Sequence, residues 1–437
     1  MMYNPAIETL PLNKLRALQN KRLRHQVAQV YEHVPFYRQK LDEIGIRPSD
    51  IKGVGDLHKI PFTHKHDLRD NYPFGLFAIP REQVIRLHAS SGTTGKPTVV
   101  GYNKQDIDIF SEVVARSLAA AGGKPGMVLQ NAYGYGLFTG GLGLHYGGEK
   151  LGMTVIPVSG GLTDRQLLIM QDFKSEMICC TPSYAQTLAE ELAKRKISKD
   201  RIHLKYAVLG AEPWTETMRQ CVETGLGVSA TNIYGLSEII GPGVSQEDFE
   251  EKGTGSYVWE DHFFPEIVDK DTGEPLPEGT SGVLVFTTLT KQAMPILRYW
   301  TNDITHIYYD KSAKRTHIKM GAIQGRADDM LIIRGVNLFH TQVEYILKDI
   351  PMLSANYQLI ITRSGAMDDV EVKVEMAEMH QDISEDKLKE IQGHFSKKIK
   401  DNIGISMKVK IMRLGEIPRS EGGKLNRITD LRTYFFK

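Results

Sequence analysis

Residues Ser90, Ser91, Gly92, Thr93, Thr94, Gly95, Lys96 and Pro97 combine hydroxyls, glycines and a cation in one short loop. Glycine lets backbone N–H groups turn toward an anion, serine and threonine add donors, and Lys96 adds positive charge. The spacing is not that of a Walker loop, which needs glycine where Ser90 stands and Ser or Thr where Pro97 stands. On composition alone the segment reads equally well as a solvated turn. Glu238, in Tyr234-Gly235-Leu236-Ser237-Glu238, follows the apolar run ATNI. A carboxylate at a strand end lies where α/β proteins place their sites, and it suits Mg2+ held between protein and phosphates. Alone, it reads more simply as a helix-start carboxylate favoured by the helix dipole. Within Asn131–Gly141, Tyr135, Gly136, Phe138, Gly140 and Gly141 read as a pocket for an aryl group, or else as an aromatic core turn. Lys424 lies on the glycine loop Ser420–Arg427; a lone lysine is ordinarily a solvated surface residue.

These groups are far apart in the chain, so a frame must gather them. Leu15, Leu18, Leu23, Val27, Val30, Tyr31 and Val34 recur at spacings near three and four, predicting a core-facing helix that Pro35 stops. From about residue 84 short β-rich runs (VIRLHAS, MVLQNA, MTVIPV, MICCTP, YAVLG, ATNIYG) alternate with helical stretches. Their lengths suit buried strands, and the alternation predicts βαβ units and mostly parallel sheets. Residues 134–148 are so rich in glycine that no regular element is expected there, only close passage of the backbone past something else. After Gly325–Arg334 come a helix (TQVEYILKDI), two strands (YQLIIT, VEVKVEM), a charged helix near Glu385–Lys400 and a strand (MKVKIMRL). The fold class is therefore α/β. A large N-terminal domain, 1–327, opens with a helical segment, 1–80, and a smaller α+β domain follows at 328–437.

Lys+Arg total 54 against Asp+Glu 53, a net charge of +1, so no global field draws the protein to nucleic acid or anionic membrane. Cys179, Cys180 and Cys221 contain no CxxC pair, which supports neither a disulfide framework nor a cysteine zinc site. Without an apolar signal core or a run of about 18 apolar residues, a cytoplasmic protein is expected. Trp259-Glu260-Asp261-His262 holds metal-ligand residue types, but without cysteines it is not taken as a metal site.

The strings HASSGTTGKPTVVGY, NAYGYGLFTGGLG, GAEPWTE, YGLSEIIGPGV, WEDHFFPEI, VFTTLTK, GRADDMLIIRGVN and IPRSEGGK, in that order, resemble those of phenylacetate–CoA ligases. These belong to the adenylate-forming superfamily of acyl-CoA synthetases, and the resemblance runs from about Tyr3 to Leu431. It implies a mobile C-terminal domain, with ATP, coenzyme A, an aromatic carboxylic acid and Mg2+ as ligands. It places the phosphate loop at residues 90–95, with Lys96 catalytic. Gly210, Ala211, Glu212 and Pro213 would meet the adenine edge, Tyr234 and Gly235 would cover the ring, and Ser237 would approach the α-phosphate. Glu238 would be catalytic through Mg2+. Asp303 would accept both ribose hydroxyls, as a two-oxygen acceptor can. Arg326 would reach ribose or phosphate, Asp328 would be the hinge, and Lys424 the catalytic lysine. The chain departs from the pattern at Trp300 and Asn302, where relatives carry arginines, and in the glycine pair before Lys424. A homodimer is expected.

The implied reaction has two halves. A carboxylate oxygen attacks the α-phosphorus of ATP, and a CoA thiolate then attacks the resulting acyl-adenylate. The rival readings are a ligase for indoleacetate or a benzoate, a carrier-protein-loading subunit, and a non-catalytic acyl-nucleotide sensor. Retention of Glu238, Asp303, Arg326 and Lys424 together argues against the sensor.

Overall fold

The leucine and valine repeat near the start becomes helix Leu12–His33, which buries Leu15, Leu23, Val27 and Val30. Val34 ends it and Pro35 opens the next helix, Pro35–Glu43, at the position where a missing N–H costs nothing. The structure is a computed structural model that describes residues 1–89, 98–212, 214–327, 331–333, 336–364, 367–380, 383–418 and 426–431. Of the site residues expected from sequence, those at 90–96, Pro213, Asp328 and Lys424 lie outside the described residues. The chain divides into two units, residues 1–214 with 219–323, and residues 215–218 with 324–437.

A nine-stranded sheet organises the first unit. Five strands, Thr154–Ile156, Val128–Asn131, Met177–Cys180, Tyr206–Gly210 and Ser229–Leu236, lie side by side and run parallel. Buried strands of this kind read as unbroken apolar runs, which is why MICC and YAVLG were legible. Both cysteines of MICC are buried. Past Ser229–Leu236 the sheet turns antiparallel, through Gly241–Glu247, Ser256–Val258, Lys319–Met320 and Ile307–Tyr308. The direction therefore reverses at one strand, the one that leads to Glu238.

The glycine-dense stretch is not irregular throughout: Thr139–Leu151 is a helix. A Cβ on Gly143 would lie 2.4 Å from the Phe110 ring, and one on Gly147 would lie 2.2 Å from a Val114 methyl. A Cβ on Gly148 would meet Val155 at 2.7 Å. The glycines thus allow close packing against helix Lys104–Ala120 and the sheet. That second helix starts with a reciprocal cap, in which Asn103 accepts the Asp106 N–H at 2.8 Å and Asp106 accepts the Asn103 N–H at 3.1 Å.

Trp259–His262 is part of a buried polar network. Asp261 takes Arg116 with both oxygens, at 2.8 and 3.1 Å, and Glu112 takes the same guanidinium at 2.6 Å. Burial alone would raise the Asp261 pKa, but His262 and Arg116 hold this carboxyl well below the usual carboxylate range. Among the described residues no group of three or more His, Cys, Asp or Glu is arranged to hold a metal ion.

In the second unit the strand order is Lys408–Met412, Met367–Met376, Leu353–Ser364, Ile428–Asp430. Helix Glu385–Ile403 packs Ile391, Phe395, Ile399 and Ile403 into its core at four-residue intervals. Ser384 caps its start, and Gly404 ends it at φ +86°, the left-handed conformation glycine accepts. Among the described residues no helix is long and apolar enough to cross a membrane.

His317, 1% exposed, generates the first prediction. Its Nδ1 accepts the Glu260 N–H at 3.0 Å, so Nε2 carries the proton and donates to the Ile7 carbonyl at 3.3 Å. Burial lowers its pKa to about 4, against the opposing pull of Asp261. Above the unfolded value of about 6.5 both states are neutral; between that value and 4 the unfolded chain alone binds the proton, so stability falls as pH falls. The loss is at most about 3 kcal/mol. Urea unfolding at pH 7, 6 and 5 should show a steeper decline for the wild type than for His317→Asn, which keeps an acceptor but cannot titrate. Equal declines would contradict this.

Candidate active site

The site residues of the first unit collect at the carboxyl ends of its parallel strands, where open α/β sheets bind ligands. Ser229–Leu236 ends in a tight turn, with the Ile239 and Ile240 N–H groups both donating to the Leu236 carbonyl at 3.1 and 3.2 Å. The chain then returns as Gly241–Glu247. The approach is so close that a Cβ on Gly235 would lie 1.9 Å from the Gly241 carbonyl oxygen, while Gly241 has φ +119°. Both positions therefore require glycine. Glu238 rides on this turn and is 7% exposed. Its side chain makes no hydrogen bond or ion pair among the described residues, and a nearly buried carboxylate of that kind fits a cation that also binds phosphate and water.

Around the turn the predicted residues do come together. Tyr234 donates its hydroxyl to Asp303 Oδ2 at 2.5 Å, and the Ser237 hydroxyl pairs with Thr139 Oγ1 at 3.1 Å. Gly210 lies one strand over. A Cβ there would strike the Ile233 carbonyl at 2.2 Å, and Tyr133 donates to the Gly210 carbonyl at 3.2 Å. Ala211 follows at φ +70°. Glu212 accepts the Ser183 N–H at 2.6 Å in the first turn of helix Pro182–Lys194, so its carboxylate is committed to that helix start. Arg326 belongs to the second unit, in the short strand Gly325–Arg326.

The aryl segment is more mixed. Asn131 donates to the Tyr135 hydroxyl at 2.7 Å and to the Gly141 carbonyl at 2.8 Å. The Tyr135 hydroxyl also pairs with His145 Nδ1 at 3.2 Å, and His145 Nε2 lies 3.1 Å from Glu149. Burial pushes the Tyr135 pKa up to about 12. The hydroxyl is thus neutral and occupied, which leaves the ring as a contact surface. Gly141 packs with its Cα against Gly134, where a Cβ would be 2.3 Å from the carbonyl oxygen. Phe138 is 50% exposed at the start of helix Thr139–Leu151, Gly140 lies within that helix beside the Tyr133 ring, and a Cβ on Gly136 would meet no atom of the described residues within 4 Å.

Lys291 was not singled out from sequence. It is 2% exposed and donates to the Glu238 carbonyl at 3.1 Å. Burial lowers its pKa to about 8, opposed by the nearby Asp106 and Glu238 carboxylates. The available signal was a lysine inside the otherwise uncharged run VFTTLTKQAMPIL.

The unusual pair Trp300 and Asn302 has a local explanation. Asn302 has φ +66°, a conformation that asparagine tolerates better than most residues, and Trp300 Nε1 donates to its Oδ1 at 2.8 Å. The next residue, Asp303, donates its N–H to Thr301 Oγ1 at 3.0 Å. Asn302→Ala should cost about 2 kcal/mol, one part for the left-handed backbone and one for the lost hydrogen bond. Asn302→Gly should cost about half of that, because glycine accepts the left-handed backbone and the hydrogen bond is lost. Urea denaturation of both would show it, and equal costs would mean that the backbone is not strained there.

Known proteins resemble the chain in both sequence and fold. Residues 78–290 match the AMP-binding enzyme family, and residues 335–432 match the AMP-binding enzyme C-terminal domain. The chain is 62% identical to a phenylacetate-coenzyme A ligase of Thermus thermophilus, covering 99% of this chain and 100% of that one. It is 50% identical to the phenylacetate-coenzyme A ligase of Escherichia coli, covering 98% and 97%. A crystal structure of 2-hydroxyisobutyryl-CoA ligase in the postadenylation state, in complex with 2-HIB-AMP, superimposes with a TM-score of 0.90 at 26% identity, covering 98% of this chain and 91% of that one.

Proposed function

The chain belongs to the phenylacetate–coenzyme A ligase family of AMP-binding enzymes, and from that premise we propose how its residues divide the work of joining phenylacetate to coenzyme A. The reaction consumes ATP and releases AMP and diphosphate by way of an acyl-adenylate. Carboxylate and triphosphate repel each other, so the first half needs cations and fixed positions more than a covalent nucleophile on the protein.

The observation that carries the assignment is the almost buried Glu238 carboxylate, without a hydrogen bond or ion pair among the described residues, on a turn adjoining the Tyr234–Asp303 hydrogen bond. Glu238 would hold Mg2+, which neutralises phosphate charge when bound. Asp303, oriented by Tyr234, would take the ribose hydroxyls, and the Gly210–Ala211 bend would lie along the adenine edge. Ser237, fixed through Thr139, would lie close to the α-phosphate. Residues 90–95 and Lys96 would cradle the outer phosphates. Tyr135 would present its ring to the aryl group, since its hydroxyl is engaged by Asn131 and His145. Arg326 would contribute a guanidinium to ribose or phosphate. Asp328 would be the pivot of a mobile C-terminal domain, and Lys424 would supply the cation of the adenylating half. We further assign a cytoplasmic homodimer.

Two measurements test this reading. Lys424→Ala should abolish most adenylation, by at least about a hundredfold, while sparing thioester formation from supplied phenylacetyl-adenylate. Equal losses in both halves would remove Lys424 from the α-phosphate. In a panel of acids assayed for diphosphate release and acyl-CoA, phenylacetate should exceed acetate, palmitate, indoleacetate and benzoate. Ring-substituted phenylacetates should remain partial substrates, because a hydrophobic pocket separates such analogues by only about 1–3 kcal/mol. Palmitate reacting faster than phenylacetate would contradict the aryl pocket.

A further inference from the structure

Lys291 has no part in the roles set out above, yet it is tied to the turn that carries Glu238. Its ammonium donates to the Glu238 carbonyl at 3.1 Å and lies 5.0 Å from the centre of the Tyr102 ring. Tyr102 donates its own hydroxyl to the Ile240 carbonyl at 2.9 Å. A cation and the aromatic ring it rests on thus grip the turn at two carbonyls that bracket Ile239. The backbone beside Lys291 is fixed as well, because Asp106 accepts the N–H groups of Gln292 at 2.6 Å and Ala293 at 2.9 Å. Asp106 is fully buried and locked in the reciprocal cap of helix Lys104–Ala120. An unbroken line of contacts therefore runs from that helix through Lys291 to Glu238.

A buried ammonium is a costly way to hold one carbonyl. It has three donors, of which one is used among the described residues, and an apolar side chain of similar length would fill the space at smaller desolvation cost. The charge is better explained by what lies beside it.

We propose that Lys291 is a positioning residue for Glu238: it sets the turn so that the carboxylate is presented to the metal–nucleotide substrate, and its positive charge offsets the negative charge gathered there. This rests on the reading of Glu238 as the metal-bearing carboxylate. Lys291 itself does not touch the reacting atoms.

The test uses the full-length enzyme with Lys291→Met, Lys291→Arg and Tyr102→Phe. The readouts are thermal unfolding, calorimetric binding of ATP with and without Mg2+, adenylation rate against Mg2+ concentration, and thioester formation from supplied phenylacetyl-adenylate. Lys291→Met should raise the Mg2+ concentration for half-maximal adenylation by about fivefold or more and slow adenylation by about 30-fold. Its metal-dependent gain in ATP affinity should shrink, while thioester formation changes by less than about threefold. Lys291→Arg should recover part of the loss. Tyr102→Phe, which removes only the grip on Ile240, should shift the Mg2+ requirement in the same direction by a smaller factor, and it decides the matter if Lys291→Met does not fold. An unchanged Mg2+ requirement in the folded variants overturns the proposal, and so does an equal loss in both half-reactions. Glu238→Gln run alongside separates the two failures: if it leaves the Mg2+ requirement unchanged, the reading of Glu238 itself is wrong.

Discussion

Everything at the site depends on one close approach of backbone to backbone. Ser229–Leu236 reaches its end among parallel strands, and the chain must reverse at once to continue the sheet in the antiparallel sense. Only glycine fits at position 235, where a Cβ would overlap the Gly241 carbonyl. The register also shifts between Tyr234 and Gly235, a bulge of the kind that re-aims side chains beside active sites. The reversal puts Tyr234, Ser237 and Glu238 within five residues of one another at the open end of the sheet. Asp303 then joins them from a different sheet through the Tyr234 hydroxyl.

The electrostatics follow from that geometry. With a net charge of +1 the chain has no long-range attraction for a polyphosphate, so attraction must be local and built into the loops. Among the described residues the Glu238 side chain makes no ion pair, whereas several other buried acids do: Asp261 with Arg116, Glu8 and Asp248 with Arg315, Glu247 with Arg219. In the proposed reading an exogenous cation binds the Glu238 carboxylate. Lys291 lies behind it, bonded to its carbonyl and not to its side chain.

Much of this was legible in the sequence where one physical cause leaves one mark. The heptad-like apolar spacing from Leu15 to Val34 can be little other than a buried helix, and MICC and YAVLG can be little other than buried strands. Residues 139–151 were misread because glycine marks two opposite things, an irregular loop and a helix packed too tightly for side chains. The antiparallel half of the sheet was hidden for a similar reason, since Gly241–Glu247 contains GPGVSQE, a composition that suggests a turn. Trp300 and Asn302 stood out as departures from arginine, but their pairing required the left-handed backbone at Asn302, which no sequence pattern declares. Lys291 was missed because burial of a charged residue depends on the whole tertiary structure. The string that contains it was noticed only for its resemblance.

The acyl-adenylate route is tested most directly by the fate of the carboxylate oxygens. If a phenylacetate oxygen attacks the α-phosphorus, then CoA cleavage of the mixed anhydride leaves that oxygen on AMP. Phenylacetate labelled with 18O in both carboxyl oxygens, turned over with ATP and coenzyme A, should therefore give AMP carrying one 18O and diphosphate carrying none. Label in orthophosphate, with ADP as the nucleotide product, would mean attack at the γ-phosphorus and an acyl-phosphate intermediate, and would contradict the adenylating role given to the Glu238 turn.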